Sequence, residues 1–336
     1  MTMNTRIILV VLPILVGIGA FYLGRGHALR NSIGEYSSYN ESRENPLESS
    51  FTNPLLECSF GQDYIAQNTI RPSKEVLEKV ITEKVASRDI THASVYYRDL
   101  NNGPWLGINE KENFFPASLM KVPLAMYFYK RSEEIPGLLD SIIPPNKDLQ
   151  TIDFEQHFKP SQSIDLTKAH TIRKLLEASI KHSDNKAAEA LVFATEKDGF
   201  RKLLEDLHLS LPQSSDADFM NVRDYATFFR VLFNASYLSK HNSEELLSTL
   251  SETEFDKGIT KYLPRDTVVS HKFGERYSDS SNIKQFHDCG IVYLPYHPYL
   301  ICIMTRGTDM DKASDVASLL SKVVYQEALK QVSALK

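Results

Sequence analysis

Near the C-terminus three short strand-like segments, "DTVVSHKFGE" (266–275), "HDCGIVYLP" (287–295) and "YLICIMTRG" (299–307), follow one another joined by turns, one containing Tyr296-His297-Pro298. Links this short join antiparallel strands, because a parallel return needs a crossover of a dozen or more residues. An amphipathic helix, "SDVASLLSKVVYQEALKQV", closes the chain. Upstream, "HASVYYRDLNNGPWLGINE" (92–110) places two β-rich stretches around Asn101-Asn102-Gly103, a hairpin signal. It is preceded by a helix, "RPSKEVLEKVITEKV", with Pro72 near its start and Val76, Leu77, Val80, Ile81 and Val85 on one face. Residues 116 to 250 have mostly helical periodicity. The order helix, two strands, helical insert, three strands, helix defines an α+β fold, an antiparallel sheet with helices packed on it.

The remaining N-terminal part is different. "IILVVLPILVGIGAFYL" (Ile7–Leu23) is an uncharged run at the short end for a membrane span. Residues 1–24 are therefore expected to be a membrane anchor or signal, with the uncleaved anchor preferred. Residues 25–70, rich in Ser, Asn and Glu, are expected to be a flexible tether, leaving 71–336 as the folded domain. A net charge of −5, with the basic residues dispersed, points away from nucleic acid as a partner. Cys58, Cys289 and Cys302 match no zinc spacing, and no metal or cofactor is expected. Cys289 and Cys302 fall in segments that can pair, so a bridge is conceivable, but two buried free thiols are the expectation.

One lysine is out of place. In "FFPASLMKVPLAMYFYK" (114–130), Lys121 stands in an apolar helix where a charge is costly. Ser118, three residues earlier, shares its helix face. A serine at a helix N-terminus lies near backbone N–H groups and the positive dipole end. A desolvated lysine beside it has a lowered pKa and can take its proton. S-x-x-K alone is weak, since Ser281–Lys284 and Ser333–Lys336 match it too. Two further motifs follow in order. Ser183-Asp184-Asn185 occurs once, between two helical stretches, with Asp184 suited to capping the second. Lys272-Phe273-Gly274 lies on a strand about 90 residues later. The series corresponds to the S-x-x-K, S-D-N, K-T-G signature of penicillin-recognising enzymes.

From about Arg71 onward the chain resembles a class A β-lactamase catalytic domain, related to penicillin-binding proteins. "VYYRDLNNG", "ASLMKVPLAMYFYK", "LLEASIKHSDNKAAEALV" and "YLICIMTRGT" carry the resemblance beyond the motifs. It implies a five-stranded antiparallel sheet flanked by helices, beside a mostly helical lobe, with the site in the cleft between them. It implies Ser118 as the acylated nucleophile and Lys121 as its base, with Ser183 relaying a proton to the leaving nitrogen. Asn185 would hold the substrate's side-chain amide, and Lys272 would supply positive charge near Ser183 and the substrate carboxylate. The N–H groups of Ser118 and of Glu275, the residue after Gly274, would form the oxyanion hole. Such enzymes work outside the cytoplasmic membrane, which fits an anchored chain with an extracytoplasmic domain.

Two departures matter. Phe273 replaces the usual threonine, so the carboxylate anchor must be sought among Arg276, His287 and Arg306. His271, beside Lys272, is expected to point outward from its strand. The segment "LHLSLPQSSDADFMNVRDYA", where the family carries a deacylating glutamate, has none. Asp216 and Asp218 are the only carboxylates placed to substitute, and turn formation and helix capping ahead of "VRDYATFFRVLF" is the role expected of them first. The first expectation is a β-lactam hydrolase with slow deacylation. The alternatives are a D-Ala-D-Ala carboxypeptidase acting on peptidoglycan peptide, or a non-catalytic sensor of β-lactams or peptidoglycan.

Overall fold

The computed structural model describes residues 51–52, 70–101, 104–152, 155–196, 198–214, 217–278 and 282–334, all within the compact unit Leu47–Lys336. The expected anchor, nearly all of the expected tether, and Asp216 lie outside the described residues. Among the described residues no helix is long and apolar enough to cross a membrane. At Phe51 and Thr52, within the stretch read as tether, the chain is held to the domain. Both backbone N–H groups donate to the Glu244 carboxylate, each at 2.8 Å, and Thr52 is buried.

The sheet has five antiparallel strands: β1 (His92–Asp99), β2 (Trp105–Ile108), β5 (Val269–Ser278), β6 (Ile283–Val292) and β7 (Tyr299–Gly307), in the order β2-β1-β7-β6-β5. A two-residue pair, β3 (Ile142–Ile143) and β4 (His170–Thr171), stands apart. Strand β7 shows no apolar–polar alternation because it is buried on both faces. Leu300, Cys302 and Met304 enter one core, while Ile301 and Ile303 enter the other.

The first core lies under the helical lobe. It is built by α2 (Lys121–Glu134), α4 (Ile172–Lys181), α5 (Asn185–Phe193), α6 (Gly199–Asp206), α7 (Val222–Phe233) and α8 (Lys240–Ser251), with a short α3 (Lys147–Gln150) at its edge. In α2 every residue from Lys121 to Tyr129 is buried, as expected of a helix apolar all round. The second core lies between the sheet and the terminal helices α1 (Lys74–Ala86) and α9 (Met310–Ala334). The α1 face is narrower than its sequence pattern. Leu77 and Ile81 are buried, while Val76 and Val85 are about two-fifths exposed.

The two strand cysteines are joined, in contrast to the expected free thiols. Cys289 and Cys302 are direct partners in the β6–β7 register and form a disulfide. Opposite residues on one face of an antiparallel pair bring their Cβ atoms within bridging range. The chain has three cysteines, and two of them are in this bridge. Thiol titration under denaturing, non-reducing conditions therefore labels Cys58 alone, and all three cysteines after reduction. Labelling of Cys289 without reductant would contradict the bridge.

Candidate active site

Ser118 belongs to a 3-10 turn, Ala117–Met120, that runs directly into α2. Ser118 and Lys121 stand three residues apart across the join of the turn and α2, the spacing that puts two side chains on one helical face. Ala117, just before the serine, has φ 50°, a left-handed conformation unusual for alanine. The turn is held from several sides. The Phe115 N–H donates to Gln285 Oε1 at 3.1 Å, and Nε2 of His287 lies 3.0 Å from the Phe115 carbonyl. Tyr225 donates its hydroxyl to the Leu119 carbonyl at 2.8 Å. Burial pushes His287 down to about 4, so the ring is neutral near pH 7 and Nε2 carries the donated proton.

Strand β5 passes close beside this turn. A Cβ on Gly274 would lie 2.8 Å from the Pro116 carbonyl and 3.0 Å from the Leu119 nitrogen. Glycine at 274 is what allows the strand to approach the nucleophile turn.

The turn between α4 and α5 supplies the third wall. Asp184 caps α5, accepting from the Lys186 N–H at 2.8 Å, as its position in the sequence indicates. Ser183 is buried, with φ 55°. Two lysine nitrogens converge on its hydroxyl: Lys272 Nζ at 2.9 Å and Lys121 Nζ at 3.2 Å. Lys121 Nζ also reaches the Ser183 carbonyl at 2.6 Å and Asn185 Oδ1 at 2.7 Å. Burial is the largest influence on both lysines. It lowers Lys121 well below the ordinary value, helped by the neighbouring Lys272 charge, and brings Lys272 down to about 7. Asp184 and Glu275 oppose the shift at Lys121, and Asp288 and Glu275 oppose it at Lys272.

Thus Ser118, Lys121, Ser183, Asn185, Lys272 and Gly274 come together from three distant segments. Other sequence candidates have different surroundings. Asp218 accepts from Arg306 at 2.9 Å and from Gln285 at 3.1 Å, and lies 3.5 Å from Arg276. Arg306 also pairs with Glu112 at 2.7 Å, donates to the Asn113 carbonyl and covers the Phe114 ring. Arg276 lies over the Phe115 ring, 4.0 Å from its centre. Asp218 and the two arginines thus tie the loop before α7 to the segment that leads into Ser118, where Phe114 bridges Met220. Asn221, not Asp218, caps α7.

The expectation that His271 points outward is corrected. It is buried, and Nδ1 lies 2.9 Å from Asp288 Oδ1. Gly290, its partner across the ladder, leaves the space for it, since a Cβ there would come within 2.5 Å of the His271 Cβ. Phe273 is buried in an aromatic cluster. Glu275 turns its carboxylate to the N–H groups of His157 and Phe158, at 2.9 and 3.2 Å, and burial raises its pKa. The His157–Phe158 contact is absent from the sequence reading because "EQHFKP" carries no motif and meets β5 from 118 positions away.

The five-stranded antiparallel sheet with its flanking helices is that of the class A β-lactamase fold. The Beta-lactamase enzyme family model matches residues 74–328, and the chain belongs to that family. A Bacteroides uniformis protein named "Beta-lactamase" is 26% identical over 253 residues, covering 67% of this chain and 82% of the relative. A β-lactamase structure from Chitinophaga pinensis superposes with TM-score 0.64 at 20% identity, covering 75% of this chain and 99% of its own. The structure of PBP-A superposes with TM-score 0.62 at 20% identity, covering 78% and 100%.

The buried lysines give a stability signature. Unfolded, Lys272 keeps its proton up to about its ordinary value of 10.5, whereas in the fold it releases it near 7. Between those values the unfolded chain binds more protons, so this group's contribution to stability rises with pH across that window, by up to about 1.4 kcal/mol per unit. Denaturant titrations from pH 7 to 10 should show a steeper rise for the wild type than for Lys272→Met. Equal slopes would contradict a depressed lysine.

Proposed function

We propose that the chain is a serine hydrolase acylated at Ser118 by the amide of a β-lactam ring, and that it releases the acyl group slowly. The observation that carries this reading is the convergence of buried Lys121 and Lys272 on Ser183, with Ser118 in the turn that runs directly into the helix of Lys121. Unprotonated Lys121 takes the Ser118 hydroxyl proton as Oγ attacks the carbonyl carbon. The N–H groups of Ser118 and Glu275 face the developing oxyanion. Ser183, between the two lysines, passes a proton to the leaving nitrogen as the ring C–N bond breaks. Asn185, already bonded to Lys121, offers its amide to the substrate's side chain. Water then cleaves the Ser118 ester.

The loop before α7 favours slow release. It contains no glutamate, and Asp218 is engaged by Arg306, Gln285 and Arg276. This is also the observation that favours the second reading, a peptidase on D-Ala-D-Ala peptide for which β-lactams are inhibitors. A mutant of PBP-A is known as an acyl-enzyme complex with penicillin G. We place the domain outside the cytoplasmic membrane, held by the run Ile7–Leu23. The Cys289–Cys302 bridge supports this placement, since disulfides persist in oxidising compartments.

Intact-mass measurement of the full-length chain with a chromogenic cephalosporin tests the reading. One adduct per chain on Ser118 is expected, with colour released slowly after the first turnover and no adduct in Ser118→Ala. An adduct that persists in Ser118→Ala would overturn it, as would no adduct in the wild type. Lys121→Met should slow acylation by about 10²- to 10⁴-fold, the usual share of a general base. Asp218→Asn should leave the adduct's lifetime unchanged; a longer lifetime would make Asp218 the deacylating base.

A further inference from the structure

Next to Lys272 on β5 an aromatic cluster begins. Phe273 is 4% exposed and stacks on Phe255, with ring centres 3.8 Å apart at 19°. Phe158 meets Phe273 edge-on, with centres 6.2 Å apart at 82°. Lys272 Nζ lies 4.2 Å from the Phe273 ring centre and 2.9 Å from Ser183 Oγ, so this ring is one side chain away from the serine pair. A cavity of about 220 Å³ opens against the three phenylalanines. Its lining includes His182 and Phe273, the immediate neighbours of Ser183 and Lys272.

The charges around this cavity do not form a carboxylate anchor. Of its rim residues, Lys181 pairs with Glu252 at 2.6 Å and His182 lies 2.9 Å from Glu254. Asp256 stands beside Lys257, whose exposed Nζ lies 5.5 Å from the Phe158 ring centre. Lys159 is also at the exposed rim, where water and salt screen its charge. On the strand itself, the residue after Gly274 is an acid. Glu275 holds the His157 and Phe158 N–H groups and so fixes the Phe158 ring in the wall. The Arg276 and Arg306 guanidiniums face Asp218. The cavity is therefore walled by aromatic rings and joined to the serine pair through Lys272, with the Glu275 carboxylate turned to the His157 and Phe158 N–H groups.

We propose that this cavity is a substrate subsite for an uncharged apolar ring, with Phe273 and Phe158 as its specificity-determining residues. The acyl donor turned over at Ser118 then carries an aromatic group, rather than a free carboxylate, next to the scissile bond. This rests on the reading of Ser118 as nucleophile.

The full-length chain is given a chromogenic cephalosporin in two forms, as the free acid and as its benzyl ester, and adduct formation on Ser118 is timed by intact mass. The benzyl ester should acylate at least about tenfold faster, the gain expected from burying one ring. Phe273→Thr and Phe158→Ala should each bring the ratio of ester to free-acid acylation rates down towards one, and a ratio unchanged in both folded variants overturns the assignment of those rings. The wild-type comparison needs no variant, so a variant that fails to fold does not spare the proposal. Acylation of Ser118 by the free acid as fast as by the ester, or faster, overturns the subsite and leaves the nucleophile standing. No adduct from either form overturns both.

Discussion

The site depends on the removal of two lysines from water. Lys121 and Lys272 share the Ser183 hydroxyl in a buried cluster, and the Lys272 charge adds to burial in opposing a charge on Lys121. Two ammonium groups there would repel in a medium that screens weakly, so the fold favours the neutral amine, the form that can accept a proton. What limits the cost is the set of oxygen partners: the Ser183 carbonyl and Asn185 Oδ1 for Lys121, and the Phe273 carbonyl for Lys272. A buried amine without such acceptors would cost far more.

The rest of the fold holds the three segments that bear these groups. Strand β6 links them. Gln285 and His287 fix the chain ahead of Ser118 on one face of the sheet. Asp288, on the other face, fixes His271 beside Lys272 and also accepts the Ile259 N–H at 2.9 Å. Gly258 is required there, because a Cβ would come 1.9 Å from the Asp288 carboxylate. Cys289, the next residue, is bonded to β7. Nucleophile and lysine strand are thus registered through consecutive residues of one interior strand.

How much of this was legible follows from the range of each interaction. Ser118 and Lys121 are three residues apart, and a lysine within an apolar helix is visible as an anomaly. The sheet was legible because β5, β6 and β7 are short strand-like segments joined by links too short for a parallel crossover. The two strands of the hairpin also pair as read, with Arg98 opposite Trp105, while Asn102 and Gly103 of its turn lie outside the described residues. What escaped the sequence depends on partners far along the chain. His271 is buried because Asp288 lies 17 positions away on the neighbouring strand. Asp218 faces Arg306 from 88 positions away, and nothing near either residue announces the pair. Cys289 and Cys302 needed the strand register, since a shift of one residue would have turned them to opposite faces. The loss of the threonine at Phe273 was legible, but its aromatic neighbours Phe158 and Phe255 were not.

The most direct measurement is the pH dependence of acylation at Ser118, followed by intact mass on the full-length chain. A neutral, buried Lys121 gives a rate that rises with an apparent pKa well below the ordinary lysine value of 10.5 and is level above it. A rate that keeps climbing to pH 10 or beyond, or one that is unchanged in Lys121→Met, would contradict the buried lysine as the base.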